Sequence, residues 1–226
     1  MKLLLFDIDQ TILHSGGAGE RALLLALRQR FGPGHDLANV EIPGKTDIWI
    51  AHRIFQLHHI HPSPEDINLF LHTYLRFLET ELTRSNSRLL PGFPHILHTL
   101  AQHPNIAIGL LTGNLRRGAE LKLRHHRILH HFPFGAFADD SLDRNNLGPF
   151  ARDRASQLHR AHFQPRDIYI IGDTPHDIAC AKAIGAVSVG VATGHYTRAA
   201  LQAASADIIF DDLSDIPQVL RTLGLA

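Results

Sequence analysis

Four short, bare apolar runs constrain this chain more than any other feature: "KLLLF" (2–6), "NIAIGLLT" (105–112), "DIYIIGD" (167–173) and "AVSVGVAT" (186–193). Each is too short for a helix and rich in Ile, Val or Leu. Each meets Gly, Thr or Asp at its end, as strands buried on both faces of a parallel sheet do. Helical patterns lie among them, over 92–102, 114–129, 149–161, 175–184 and 213–223. Strand and helix in alternation predict a doubly wound α/β domain with helices on both faces of the sheet.

The alternation breaks once. From about residue 18 to 84 only helical periodicity is present, in "ERALLLALRQRF", "TDIWIAHRIFQL" and "PEDINLFLHTYLRFLETEL". "SGGAG" (15–19) and "RLLPGFP" (88–94) flank this segment with the Gly and Pro of linkers or hinges. The expectation is an α/β core of residues 1–15 and 88–226, interrupted by an all-helical unit at 16–87. Phe70, Tyr74 and Phe77 have helical spacing and are expected in that unit's core, and Gly16 and Gly17 are expected to be hinge residues.

Composition limits the partners. With 226 residues, 44% of them apolar, the chain can bury a substantial core. Its 22 Lys and Arg equal its 22 Asp and Glu, so no net field recruits nucleic acid or an anionic membrane. No apolar run approaches the roughly 18 residues of a membrane helix, and Asp7 cuts the signal-like "MKLLLF" short. The lone Cys180 offers neither a disulfide nor a metal-ligand spacing, which fits a cytoplasmic protein. The 18 histidines include pairs such as His58-His59, His125-His126 and His130-His131. No HExxH or comparable set accompanies them, so even His159 and His162 are expected on solvated helix faces. Their consequence is a chain that turns cationic as pH falls below ~6.5.

The chemistry is concentrated where the apolar runs stop. In "LLLFDIDQT" (3–11) the strand period sets Asp7, Asp9 and Thr11 on one side as the strand runs out, and open α/β sheets bind ligands at that edge. Two carboxylates so placed are costly without a cation, and Mg²⁺ is the usual one where oxygens and phosphate meet. In "IIGDTPHD", Asp173 ends a strand and Asp177 lies one turn into a helix, where it also reads as an acid favoured by the helix dipole. In "LLTGN" (110–114), the Thr112 hydroxyl and the N–H groups of Gly113 and Asn114 form a candidate anion cradle.

A metal site, an anion site and a spare carboxylate suit phosphoryl transfer. Asp7 would attack phosphorus to give an aspartyl-phosphate, and Asp9 would protonate the leaving alkoxide and then activate water. "PGKTD" (43–47) is not a phosphate loop, because Asn39 stands where the motif needs Gly and no strand precedes it. Lys45 is expected either to reach substrate from the helical unit or to sit in solvent.

Taken in order, "DIDQT", "LLTGN" and "GDTPHD" resemble the DxDxT, Thr and GDxxxD motifs of the haloacid dehalogenase superfamily, and within it the phosphoglycolate-phosphatase-like hydrolases. The resemblance covers essentially the whole chain. It implies a Rossmann-like core, Asp7 as nucleophile and Asp9 as acid/base. It also implies Mg²⁺ held by Asp7, the Asp9 backbone carbonyl and Asp173, with Asp177 among these ligands or just behind them. The substrate would be a small phosphorylated metabolite and the helical unit a cap that closes over the core; Thr11, Thr112, Gly113 and Asn114 are expected to meet the substrate, as is Lys45 where it reaches the site.

Two positions depart from the family pattern. Gln10 stands where Gly is common, and is expected to affect cap closure or substrate contact rather than bond breaking. The family's third-motif lysine is missing; Arg144 in "DDSLDRNNLGPF" is expected to orient Asp7 and neutralise phosphate in its place, with Arg152 as second candidate. Asp9 argues against dehalogenase chemistry. A phosphomutase, a phosphonatase using Lys45, and a phosphate- or partner-binding protein without turnover stay open.

Overall fold

The structure, a computed structural model, describes residues 1–225. Among the described residues, eight strands run in chain order: β1 (Lys2–Phe6), β2 (Leu13–His14), β3 (Arg88–Leu89), β4 (Ile106–Leu111), β5 (Gly135–Ala136), β6 (Ile168–Gly172), β7 (Val187–Val191) and β8 (Ile208–Phe210). Six of them form one parallel sheet, ordered β5-β4-β1-β6-β7-β8. The chain fills one side of β1 and then crosses to the other, so β1 lies at the switch point.

Uniformly apolar as it is, β1 alternates in its partners. Leu4 and Phe6 pack with Ile108, Leu110 and Ile171 in one cluster, and Leu3 and Leu5 with Leu111, Ile168 and Ile170 in another. The first is covered by Ile96, Leu97, Ala119, Leu123 and Val219, the second by Leu147, Ala151, Ala155, Cys180 and Ala181. Helices therefore flank both faces, as the alternation of runs predicts. β5, β8 and the short helix 198–203 carry too few residues for a periodic signal.

The helical unit consists of α1 (Ala18–Phe31), α2 (Asp47–Leu57) and α3 (Pro64–Arg84). It has an apolar cluster of its own, built on Leu23, Leu27, Ile50, Ile54, Phe55, Phe70 and Leu78, which Leu115 and Leu121 join from the core. Phe70 and Tyr74 are buried in it and Phe77 is half-buried. The α3 start has Pro64 in its first turn and a reciprocal Ser63–Asp66 capping box.

Where the chain leaves the sheet and returns, β2 and β3 pair antiparallel, Leu13 opposite Leu89 and His14 opposite Arg88. The two crossings are thereby bonded side by side. Gly16 and Gly17 follow at φ +63° and +76°, a region that L side chains resist. Among the described residues, no helix is long and apolar enough to cross a membrane.

Candidate active site

Because β4, β1 and β6 are neighbours, the residues that follow them, Thr112, Asp7 and Asp173, meet at the carboxyl edge of the sheet. The Asp7 amide still donates to the Ile171 carbonyl at 2.9 Å, so it is held by the sheet itself. Asp7, Asp173 and Asp177 offer carboxylate oxygens within 4.8 Å of one another, all three buried. Burial pushes Asp7 up to about 6, against the pull of the Arg144 guanidinium and with added repulsion from Asp177 and Asp9. Asp173 is held well above the usual carboxylate range, by burial first and then by Asp177 and Asp7.

Arg144 lies on a short turn, residues 144–146, ahead of α6 (Leu147–His159). Its Nη2 is 3.1 Å from Asp7 Oδ1 and 2.5 Å from Asp177 Oδ1, and Nη1 donates to the Gly44 carbonyl at 3.3 Å. Three carboxylates facing one guanidinium leave two negative charges unbalanced, the charge of a divalent cation, and oxygen donors suit a hard one. Asp177 is the most committed of the three. Its Oδ2 accepts from the Thr174 amide at 3.0 Å and hydroxyl at 2.7 Å, closing the capping box of α7 (Pro175–Ala183). Both Asp177 oxygens therefore have protein partners, which sets it behind Asp7 and Asp173 as a candidate ligand.

Two expectations change here. Thr11 is fully buried and its hydroxyl donates to Asp173 Oδ1 at 3.4 Å, so it supports that carboxylate from behind and does not face a ligand. Arg152 lies on α6, partly exposed and 3.5 Å from Asp153, away from the site.

The other half of the site gathers around Asp9. Its Oδ2 accepts from Asn114 Nδ2 at 2.9 Å and from Lys122 Nζ at 2.5 Å. Lys122, buried on α5 (Arg116–His125), also donates to Asn114 Oδ1 at 2.6 Å, and Asn114 Nδ2 reaches the Thr112 hydroxyl at 2.8 Å. Asp47, the first residue of α2, bridges from the helical unit. Its amide donates to the Gly113 carbonyl at 2.7 Å and its Oδ2 accepts from the Leu115 amide at 2.8 Å. Burial raises Asp47 to about 6, with Lys122 opposing.

The helix-start amides are thus largely taken by protein groups. Asp47 holds Leu115 N–H, Asp139 holds Arg116 N–H at 2.6 Å, and Asn114 N–H leans on the Thr112 hydroxyl at 3.3 Å. The loop before α2 is pressed onto the sheet edge. A methyl group at Gly113 would overlap the Lys45 carbonyl, and one at Gly44, at φ +75°, would overlap the His176 ring.

A cavity of about 360 Å³ lies between the two units. The core contributes Asp7, Asp9, Gln10, Thr112, Gly113, Asn114, Lys122, Arg144 and Asp173 to its wall, and the helical unit Leu23, Ile42, Lys45, Asp47, Ile50 and Tyr74. Lys45 Nζ stands 4.7 Å from the Trp49 ring centre and 3.4 Å from Glu41 Oε2, so it reaches the wall while held by its own unit. Gln10 has φ +60°, with its carbonyl accepting from the Thr193 hydroxyl at 2.5 Å.

Sequence reasoning missed Lys122 and Asp47, and took Tyr74 for core alone. A signal for Lys122 existed. On α5 it shares the buried face of Gly118 and Ala119, four and three residues back, where an ammonium needs a partner.

Residues 4–191 match the family model for haloacid dehalogenase-like hydrolases, and the chain belongs to that family. It is 26% identical to a phosphoglycolate phosphatase of Vibrio vulnificus, over 97% of this chain and 96% of that one. A hydrolase from Pseudomonas syringae superposes with a TM-score of 0.76 at 19% identity, covering 98% and 99% of the two chains. CbbY from Rhodobacter sphaeroides, solved in complex with phosphate, gives a TM-score of 0.77 at 18% identity over 96% of each. These two likenesses establish the fold, a parallel-sheet core carrying a helical unit.

Proposed function

We propose that the chain is a phosphatase of this family that hydrolyses a small phosphate monoester, phosphoglycolate-like in class, through an aspartyl-phosphate on Asp7. The observation that carries the reading is the charge imbalance at the sheet edge: Asp7, Asp173 and Asp177 against Arg144 alone. A divalent cation, for which Mg²⁺ is the family's usual choice, would be held by Asp7, Asp173 and the Asp9 backbone carbonyl and would neutralise charge on the phosphoryl oxygens.

Arg144 adds a fixed positive charge beside Asp7 and keeps that carboxylate oriented. Asp7 attacks phosphorus, the ester P–O bond breaks, and Asp9 gives its proton to the departing oxygen. Asp9 then takes a proton from water as that water attacks the phospho-Asp7, and the P–O bond to Asp7 breaks to release phosphate. The segment 16–87 serves as a cap that shields these steps from bulk water, with Lys45 offering a second cation to the substrate.

Neither departure from the family pattern argues for loss of turnover. Arg144 supplies a cation 3.1 Å from Asp7, and Gln10 adopts the left-handed backbone that explains why Gly is common there.

The test is hydrolysis of p-nitrophenyl phosphate with and without Mg²⁺. Asp7→Asn should lower kcat by about 10³-fold or more, and a chelator should remove the wild-type activity until Mg²⁺ is restored. Hydrolysis that survives Asp7→Asn, or no turnover across a broad panel of phosphomonoesters, overturns the reading.

A further inference from the structure

We propose that Lys122 is a positioning residue for the acid/base carboxylate. With Asn114 it clamps one oxygen of Asp9, so that the other oxygen is the one presented to the leaving group. The inference rests on the reading of Asp9 above and adds a residue to it.

Lys122 is 4% exposed, and a buried ammonium is tolerated only when paired and hydrogen-bonded. Its Nζ lies 2.5 Å from Asp9 Oδ2 and 2.6 Å from Asn114 Oδ1, and Asn114 Nδ2 donates to the same Asp9 Oδ2 at 2.9 Å. The triangle has one consistent hydrogen-bond assignment. An ammonium only donates, so the amide must turn its oxygen to Lys122, and its NH₂ is then left facing the carboxylate.

Asp9 Oδ2 therefore receives two donors, one of them charged, while Oδ1 carries neither bond. An oxygen so covered is a poor place for the catalytic proton. Exchange with the substrate falls to Oδ1, whose direction is fixed because its sister oxygen is pinned. Asn114 is anchored in turn by the Thr112 hydroxyl at 2.8 Å, which ties the clamp to the end of β4. Asp47, from the cap side, is a second carboxylate that feels the ammonium's charge.

A residue that only holds the fold, or that binds the phosphoryl group, affects all esters alike. One that aims the general acid matters most when the leaving oxygen is basic. The experiment therefore compares kcat/KM, which reports transfer to Asp7, for p-nitrophenyl phosphate and for phenyl phosphate. These are measured with wild type, Lys122→Met, Lys122→Arg, Asp9→Asn and the Asp9→Asn/Lys122→Met pair.

Lys122→Met should cost phenyl phosphate at least about tenfold more than p-nitrophenyl phosphate, and Lys122→Arg should recover part of that difference. In the Asp9→Asn background Lys122→Met should add little, because the two act as a unit. Equal losses on both esters, or losses that multiply in the double variant, overturn the proposal. If Lys122→Met does not fold, Lys122→Gln carries the same comparison. A wild type inactive on both esters, or activity that survives Asp7→Asn, would instead strike the phosphatase reading itself.

Discussion

The two halves of the cavity differ in how far their charge is satisfied. On the Arg144 side, three buried carboxylates face one guanidinium, and two of them, Asp7 and Asp173, are pushed up from the usual carboxylate range. On the Lys122 side, Asp9 and Asp47 flank an ammonium, and Asp9 and Asp47 both accept hydrogen bonds from the protein. The first half is electrostatically incomplete and calls for a cation from outside. The second has two carboxylates for one ammonium, one negative charge in excess, and both carboxylates are hydrogen-bonded by the protein, although burial still raises Asp47, from the helical unit, to about 6. A site that binds charge must keep part of its own charge unsatisfied, whereas a site that orients a proton donor gains from satisfaction.

The sharpest way to break this contrast is Asp173→Asn. On the incomplete side, removing a carboxylate relieves repulsion, so the metal-free protein should become more stable, by about 1–3 kcal/mol. Turnover with Mg²⁺ should fall by about 10²–10³-fold, the scale of losing one electrostatic group at a reacting centre. Urea unfolding in the presence of a chelator and steady-state kinetics on one preparation read both effects. A variant that loses stability and activity together would mean that the carboxylates are balanced without a cation.

The same contrast explains what was legible in the sequence. Asp7, Thr112 and Asp173 stand at the ends of apolar runs, where the strand pattern itself marks the ligand edge, and even Arg144 is reachable by counting back from Asp173. The Lys122 half has no such marker. Lys122 and Asp9 are 113 positions apart, and Lys122 is one of several basic residues in "LKLRHH". Asp47 reads as an ordinary helix-start acid, yet it acts on a different helix by holding the Leu115 amide. Contacts made by docking one unit on another leave no periodic trace in either segment. The helical unit was readable from the break in alternation, but which of its faces meets the site was not. Tyr74 shows this, since the spacing that puts it in the core also carries it to the cavity wall.

Asp47 offers a test of the satisfied half through pH. Its carboxyl stands at about 6 in the fold against 3.8 when free, so between those values the native state binds more protons than the unfolded chain. Its contribution to stability is complete below about pH 4 and is lost as pH rises through about 6. Asp47→Asn keeps a neutral acceptor for the Leu115 amide at every pH. The variant's stability relative to wild type should therefore rise by about 1–2 kcal/mol between pH 4.5 and pH 8, measured by urea unfolding at several pH values. A difference that is flat with pH would show that Lys122 already compensates Asp47 fully.

Gln10 lies between the halves, and the smallest effect is expected there. At φ +60° an L side chain carries a cost of about 1–2 kcal/mol, while glycine gives up about 0.5–1 kcal/mol in backbone freedom on folding. Gln10→Gly should thus gain at most about 1 kcal/mol, visible as a slightly raised Tm. The Gln10 carbonyl would still accept from the Thr193 hydroxyl, so the backbone beside Asp9 has no reason to move. Only the side chain on the cavity wall is lost. Turnover of p-nitrophenyl phosphate should stay within about twofold, less than 0.5 kcal/mol on the barrier, while KM for alkyl phosphates shifts. A collapse of turnover on every ester would instead put the Gln10 side chain among the groups that break the bond, and would make the boundary between the two halves part of the machinery.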